Sequence, residues 1–376
     1  MKTITSTSAA TASIILAIDL GKYKSVACWY EPATAEVEFA TFTTSREELM
    51  RILAKRRPSV VVIEACTLSG WVHDLCAELG LECKVANTAS EAWKFKHVKR
   101  KTDKDDALRA AQLEALGQLP TVTVPPKATR QWRALIGGRQ ALVMRRVAVQ
   151  NRIRGILLGQ GLPAPRGQRA WTKAGLEGIG QYGRPLAECD AEDLWRGLLQ
   201  LAVTEYRQIV ELIEVAEAKL DEMGQADARV QTLTTIPGVG PRTAETVAAY
   251  LDDASRFQNG KEVSAYGGLV PRQYQSGETD RRGRITRRGP AILRKLLVEC
   301  AWCLLRYNSW AQAVWLRLTK GGTTRKKQAI VALARKLLVR CWAMLRDGTT
   351  WRHEPQCRPH TPCAEAPARG ACLLPT

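Results

Sequence analysis

The chain has 376 residues, 45% hydrophobic and 25% charged, which is enough for two or three domains that each bury a core. Its formal net charge of +19 and pI near 9.7 exceed what solubility requires and point to a polyanionic partner, nucleic acid first. Residues 1–12 lack the basic and apolar blocks of a secretory signal, and no apolar run reaches the roughly 18 residues of a membrane span, so the expectation is a cytoplasmic protein with reduced thiols and no membrane contact.

Residues 13–116 alternate as an α/β domain. Five short β-rich runs, SIILAIDL, KSVACWYE, AEVEFATF, SVVVIEA and LECKVA, are interleaved late in the series with helical patterns at Arg46 to Lys55 and Ser69 to Leu79. The first and fourth runs are apolar nearly throughout, as central strands covered on both faces are. A second block, residues 117–229, reads as a helical linker. Its first helix, Arg130 to Leu158, carries Arg130, Arg133, Arg139, Arg145, Arg146, Arg152 and Arg154 with no acid between them, and a Gly- and Pro-rich stretch separates it from a second helix, Leu194 to Met223. The two are expected to pair as an antiparallel coil. The third block, residues 230–346, is mainly helical, with a tight IPGVGP turn, a glycine-rich basic loop over Tyr266 to Pro290, and basic helices at Ala291 to Tyr307 and Lys326 to Leu345. Residues 347–376 read as a polar disordered tail. Its His353, Cys357, His360 and Cys363 match no zinc-finger spacing.

Four acids form the first candidate site. Asp19 ends the first run in AIDLGK, Glu64 ends the fourth in VVIEAC, and Asp103 and Asp106 in KTDKDDA are spaced to share one helix face, with Asp105 pointing elsewhere. Carboxylates gathered at strand ends repel unless a cation neutralises them, and oxygen-only donors favour Mg²⁺ or Mn²⁺. Two such ions would suit in-line phosphodiester displacement. The bland alternatives are a turn former at Asp19, a helix cap at Glu64 and first-turn acids at 103 and 106. An Asp-x-Gly after an apolar strand also opens the phosphate loop of actin-like kinases, but those folds need a second phosphate loop and the sequence shows none.

The second candidate is Ser276, set among Arg272, Arg281, Arg282, Arg284, Arg287 and Arg288. Arginines stabilise charge developing on phosphate, so the segment is either a nucleophile in a phosphate-binding nest or a solvated loop gripping DNA backbone. No G-x-S-x-G elbow is present, and all four histidines are distant in sequence. Upstream, Gly238, Gly240 and Arg242 in IPGVGPR resemble a helix-hairpin-helix, whose glycines and free helix N-terminus contact phosphate without reading sequence. An ordinary tight connection between helices is the alternative.

The motifs AIDLGK, VVIEA, KTDKDDA, IPGVGP, GLVPRQYQSG and GRITRRG occur in the order seen in the insertion-sequence 110 family of transposases, which the chain resembles from Ile14 to about Leu345. The resemblance implies an RNase H-like (RuvC-like) first domain with Asp19, Glu64, Asp103 and Asp106 as its metal-binding DEDD acids, a coiled-coil linker, and a C-terminal domain whose nucleophile is Ser276. It further implies strand exchange through a phosphoserine intermediate, donor and target DNA as substrates, a structured noncoding RNA that bridges them by base pairing, and a homo-oligomer, dimer or tetramer. The basic helix bearing Arg145, Arg146, Arg152 and Arg154 is the candidate RNA surface. A metal-dependent junction-resolving nuclease would need the acids but not Ser276, and a non-enzymatic nucleic-acid-binding protein would need neither.

Overall fold

The computed structural model describes residues 13–88, 90, 102–276, 279–322 and 324–352, with only the backbone described at 276, 279, 280 and 282. The tail cysteines and histidines and the basic stretch around His97 lie outside the described residues. The chain divides into two compact units, residues 1–130 and 131–376.

The first unit is built on β1 (Ile15–Asp19), β2 (Lys24–Glu31), β3 (Glu36–Thr43), β4 (Val60–Glu64) and β5 (Glu82–Ala86), with α1 (Arg46–Lys55), α2 (Ser69–Glu78) and α3 (Asp103–Ala115). The five-stranded sheet has the order β3-β2-β1-β4-β5. The first three strands pair antiparallel, whereas β4 joins β1 and β5 joins β4 in parallel. This mixed sheet is the RNase H-like arrangement that the resemblance implies. β1 and β4 are central and apolar, so each side of the sheet buries alternate residues of both. Leu16, Ile18, Val61 and Ile63 face a core completed by Leu49 and Leu53 of α1 and Val72 and Leu75 of α2. Ile15, Ala17, Val60 and Val62 face Ala110, Ala111 and Leu113 of α3.

In the second unit, α4 (Lys127–Gly159, its first turn lying in the first unit) and α6 (Leu194–Ala226) run antiparallel, as expected. Val149, Ile153 and Leu157 pack with Leu199, Val203, Tyr206 and Ile209, and α5 (Lys173–Gly180) closes that cluster with Leu176 and Ile179. Near the other end, Trp132 and Ile136 of α4 and Leu220 of α6 enter the core of the C-terminal helices, so the linker expected over 117–229 shares a core with the C-terminal block.

That core is made by α7 (Ala228–Thr234), α8 (Pro241–Leu251), α9 (Gly260–Tyr266), α10 (Ala291–Tyr307), α11 (Ser309–Thr319) and α12 (Lys326–Asp347). α10 and α12 match the two basic helices expected from the sequence, and α11 is an additional helix between them. Asn308 is the reason the run breaks: it ends α10, and its side-chain oxygen accepts from Ala311 N at 3.2 Å to cap α11. The largest departure is the segment read as a basic loop, which forms an antiparallel hairpin of β6 (Pro271–Ser276) and β7 (Thr279–Ile285). Its described strand residues are mostly exposed, so the strands carry no apolar alternation and hold together through their backbone ladder.

Candidate functional site

Asp19 and Glu64 are the last residues of adjacent parallel strands, each following an isoleucine paired with the other's isoleucine, Ile18 with Ile63. Alternation then puts both acids on the face of Ile15, Ala17, Val60 and Val62, roughly one strand spacing of 4.8 Å apart. Both are half-buried where every preceding residue of their strands is buried. The turns after them are fixed. At Gly21 a side chain would strike the Lys24 carbonyl, and the Gly21 carbonyl accepts from Thr44 Oγ1 at 2.8 Å. After Glu64, the buried Ser69 hydroxyl accepts from Cys66 N at 2.7 Å.

The other two acids begin α3, the helix that covers this same face. Asp106 stands one turn before Ala110 and Asp103 one turn before Ala107, both alanines being buried, so the acids extend the sheet-facing stripe. Asp106 is half-buried and Asp103 exposed. Asp105 is occupied otherwise: with Thr102 it makes a capping box, accepting from Thr102 N at 3.0 Å while the Thr102 hydroxyl accepts from Asp105 N at 3.3 Å. The four expected acids thus share a face through two strand ends and one helix start. Among the described residues, however, no three His, Cys, Asp or Glu side chains lie close enough together to hold a metal ion. The donor set fits a hard divalent cation in kind, as oxygen ligands at a strand edge. Strand pairing sets Asp19 and Glu64 at neighbouring positions, without a closed nest among the described residues. Lys22, Thr44, Ser45, Arg46, Leu68 and Trp71, which follow β1, β3 and β4, line a cavity of about 360 Å³ next to these strand ends.

Ser276 ends β6 and its backbone pairs with Thr279 across the hairpin, two pairs along the ladder from Tyr274 and Arg281, while Gln273 pairs with Arg282. Arg272, Arg281, Arg284, Arg287 and Arg288 are exposed, and none is ion-paired with an acid among the described residues. The base of the hairpin is rigid. Gly289 has φ +82, and a side chain there would collide with the Tyr266 carbonyl. Arg287 itself sits at φ +55, and Arg294 ties down the turn by donating to the carbonyls of Arg288 at 3.1 Å and Gly289 at 2.8 Å. Burial, and next the nearby Arg287 charge, pull the Arg294 guanidinium below its ordinary pKa.

The other expected nucleic-acid contacts are differently placed. The IPGVGP turn joins α7 to α8 with Gly240 exposed as the α8 cap, but Gly238 lies against Leu304 of α10, and its carbonyl is 3.5 Å from the Cys300 thiol. Its lack of a side chain serves helix packing. Arg242, read as a phosphate contact, is only 20% exposed and ion-paired with Asp221 of α6. It also approaches the buried Glu245 at 3.2 Å, a charge contact without hydrogen-bond alignment.

On the arginine helix several of the cations have partners within the fold. Acids absent from α4 itself are supplied by α6: Glu217 accepts from Arg139 Nε at 2.8 Å, and Glu205 pairs with both Arg145 and Arg152. These arginine bonds hold the Glu205 carboxyl below its usual range. Arg154 donates to the Pro165 carbonyl and stacks on Trp171, Arg133 donates to the carbonyls of Ala249 and Tyr250, and Arg146 is half-buried. Glu245 is a buried acid absent from the sequence expectations; its signal is an acid inside the apolar run AETVAAYL. Burial pushes its pKa up to about 7, against the partial offset of Arg242.

Comparison with known proteins decides the family. Residues 230–316 match the transposase family IS116/IS110/IS902, and residues 16–160 match a DEDD transposase family of the IS110 type. A protein of Sinorhizobium fredii that carries a transposase name is 31% identical over 82% of this chain and 78% of its own length. The transposase for insertion sequence element IS1328 of Yersinia enterocolitica is 30% identical over 82% of this chain and 90% of its own. The chain belongs to the IS110 family of transposases. A pilin gene-inverting protein of Moraxella lacunata is 36% identical over a shorter stretch, 32% of this chain and 37% of its own. The transposase acts on DNA, a DEDD domain implies dependence on a divalent metal, and no helix among the described residues is long and apolar enough to cross a membrane.

Proposed function

We propose that this transposase cuts and rejoins DNA through a covalent bond to Ser276, with Asp19, Glu64, Asp103 and Asp106 as the metal-holding set. The observation that carries the reading is that two strand ends and the start of α3 direct these acids to one face of the sheet. A bound Mg²⁺ or Mn²⁺ would supply charge stabilisation to the oxygens of the phosphodiester under attack. Glu64 and Asp19 hold oxygen donors on rigid strands, and Asp106 brings another from the helix that covers them.

At the hairpin, the Ser276 hydroxyl oxygen bonds to phosphorus as the bond to the leaving strand's oxygen breaks. The serine proton passes to a base, and the leaving oxygen takes up a proton to become a free hydroxyl. Rejoining is the reverse, with a hydroxyl of another strand displacing Ser276. One phosphodiester is exchanged for another, so the cycle needs no energy-supplying cofactor. Arg281, two pairs along the hairpin ladder from Ser276, and the neighbouring exposed arginines offset the charge that builds on the phosphate. A structured noncoding RNA supplies sequence choice by pairing with donor and target, while the basic protein surface binds backbone. A homo-oligomer, dimer or tetramer, brings two DNA ends to one assembly.

The test compares Ser276→Ala and Asp19→Ala in recombination, strand cleavage and DNA binding. Wild type is expected to leave a protein–DNA adduct that Ser276→Ala lacks, with DNA binding retained in both variants. Full cleavage by Ser276→Ala rejects the serine mechanism. Unchanged recombination by RNA-free protein rejects the guide.

A further inference from the structure

The cations of the second unit that no acid neutralises are not confined to the hairpin. Between α9, α11 and α12 lies a groove of about 620 Å³, whose lining includes Lys261, Arg317, Arg335 and Lys336 together with Trp310 and the valines 270, 314 and 339. No carboxylate lines it, and among the described residues none pairs with any of those four cations. Arg340, at the same wall, lies over the rings of Trp310 and Trp351, 5.2 and 4.3 Å from their centroids, which braces the indole from within the protein. The groove thus joins unneutralised cations to an apolar, aromatic wall.

We infer that this groove binds a single-stranded stretch of polynucleotide, its phosphates on Lys261, Arg317, Arg335 and Lys336 and its base faces against Trp310 and the valine wall. Charge complementarity selects a polyanion. The size and the apolar wall select an unpaired strand: a cleft of this volume admits something of drug-like size, about one or two nucleotides, and not a duplex. A duplex also keeps its base faces stacked inside, where a tryptophan wall cannot reach them, whereas an unpaired base can stack on an aromatic face.

The location gives the strand a role. Val270, in the groove wall, immediately precedes β6, and its carbonyl accepts from Thr286 N at 2.8 Å to close the base of the hairpin. From Val270 to Ser276 the strand spans roughly 20 Å. A strand lying in the groove would therefore continue toward the hairpin, and the groove would hold nucleotides that flank the exchange site. The inference rests on the DNA handling of a transposase and does not require the Ser276 chemistry.

The experiment titrates full-length wild type and Arg335→Gln/Lys336→Gln with labelled single-stranded DNA, single-stranded RNA and duplex DNA across a salt series, with thermal melts to verify folding. Arg317→Gln, at an exposed site on α11, is the second variant. The double variant is expected to bind single strands roughly tenfold or more weakly and to lose about 1.4 from the log–log salt slope, about 0.7 per phosphate contact removed. Arg317→Gln should lose about half of that slope. DNA-selective loss would assign the occupant to the transposed strand, RNA-selective loss to the guide, and both support the inference. Unchanged single-strand binding and slope in variants that melt like wild type overturns it, and so does an equal loss on duplex DNA. Ser276→Ala should bind single strands like wild type, so failure of the serine mechanism and failure of the groove are separately visible.

Discussion

The arginines of α4 and those of the β6–β7 hairpin look alike in the sequence, two basic runs with few acids close by, yet the fold treats them in opposite ways. On α4, the partner helix lays Glu205 and Glu217 against Arg145, Arg152 and Arg139, so much of that charge is offset within the protein. On the hairpin, backbone pairing turns the chain back on itself and leaves Arg272, Arg281, Arg284, Arg287 and Arg288 exposed without acidic partners among the described residues. Local charge density is therefore a poor guide to where a polyanion binds. What matters is whether the element that buries the helix's apolar stripe is itself acidic.

The largest test of the contrast lies where the α4 side is most deeply buried. Glu245 sits within the charge cluster of Arg139, Glu217, Arg242 and Asp221, with its pKa pushed up to about 7 from an ordinary 4.5. Between those values the folded chain holds a proton that the unfolded chain has lost, so stability falls as pH rises toward 7 and is level above it. Glu245→Gln should flatten this dependence and gain up to about 3 kcal/mol above neutrality, measured by denaturant melts at several pH values. A parent protein with no fall over that window would mean that the cluster neutralises Glu245 fully.

On the hairpin side, Gly289→Ala adds a methyl against the Tyr266 carbonyl at a backbone angle unfavourable to alanine. The expected cost is about 1–3 kcal/mol, with DNA binding weakened because the arginines lose their rigid base. A melting temperature equal to wild type would show that the base yields. Next in size, Arg281→Ala/Arg284→Ala should weaken duplex binding about tenfold and lower the salt slope by about 1.8, while Arg145→Ala/Arg152→Ala changes it by half of that or less. Equal slopes for the two pairs would break the comparison. The smallest effect is the most pointed: Glu205→Gln releases Arg145 and Arg152, and binding of DNA or RNA at low salt should rise about twofold to fivefold.

How much of this was legible in advance depends on the range of the interaction. β1 and β4 announce themselves because both of their faces are buried, and the same alternation that makes them strands carries Asp19 and Glu64 to one face. Helical spacing sets Asp105 apart from Asp103 and Asp106, and the capping box with Thr102 gives it a separate role. The hairpin was hidden because, apart from Ile285 at its base, its described residues pack against no core, and the acidic partners of α4 were hidden because Glu205 and Glu217 lie 53 to 78 residues from the arginines they engage. Arg242 misled for a related cause: a helix-start arginine beside two glycines suits a phosphate, but Asp221 comes from another helix. Glu245 was visible as an oddity in an apolar run, yet nothing local said that it would be buried.

The placement of the strand acids also limits how this lineage can change length. Inserting or deleting one residue within β1 or β4 would turn Asp19 or Glu64 to the side covered by α1 and α2, because successive residues alternate between faces. Residues added to an exposed connection such as the turn at 32–35, between β2 and β3, would leave both acids where they are. Copies of the element should therefore tolerate indels in such turns and be inactivated by single-codon indels inside the two central strands, a pattern that an insertion scan would expose without any knowledge of the chemistry.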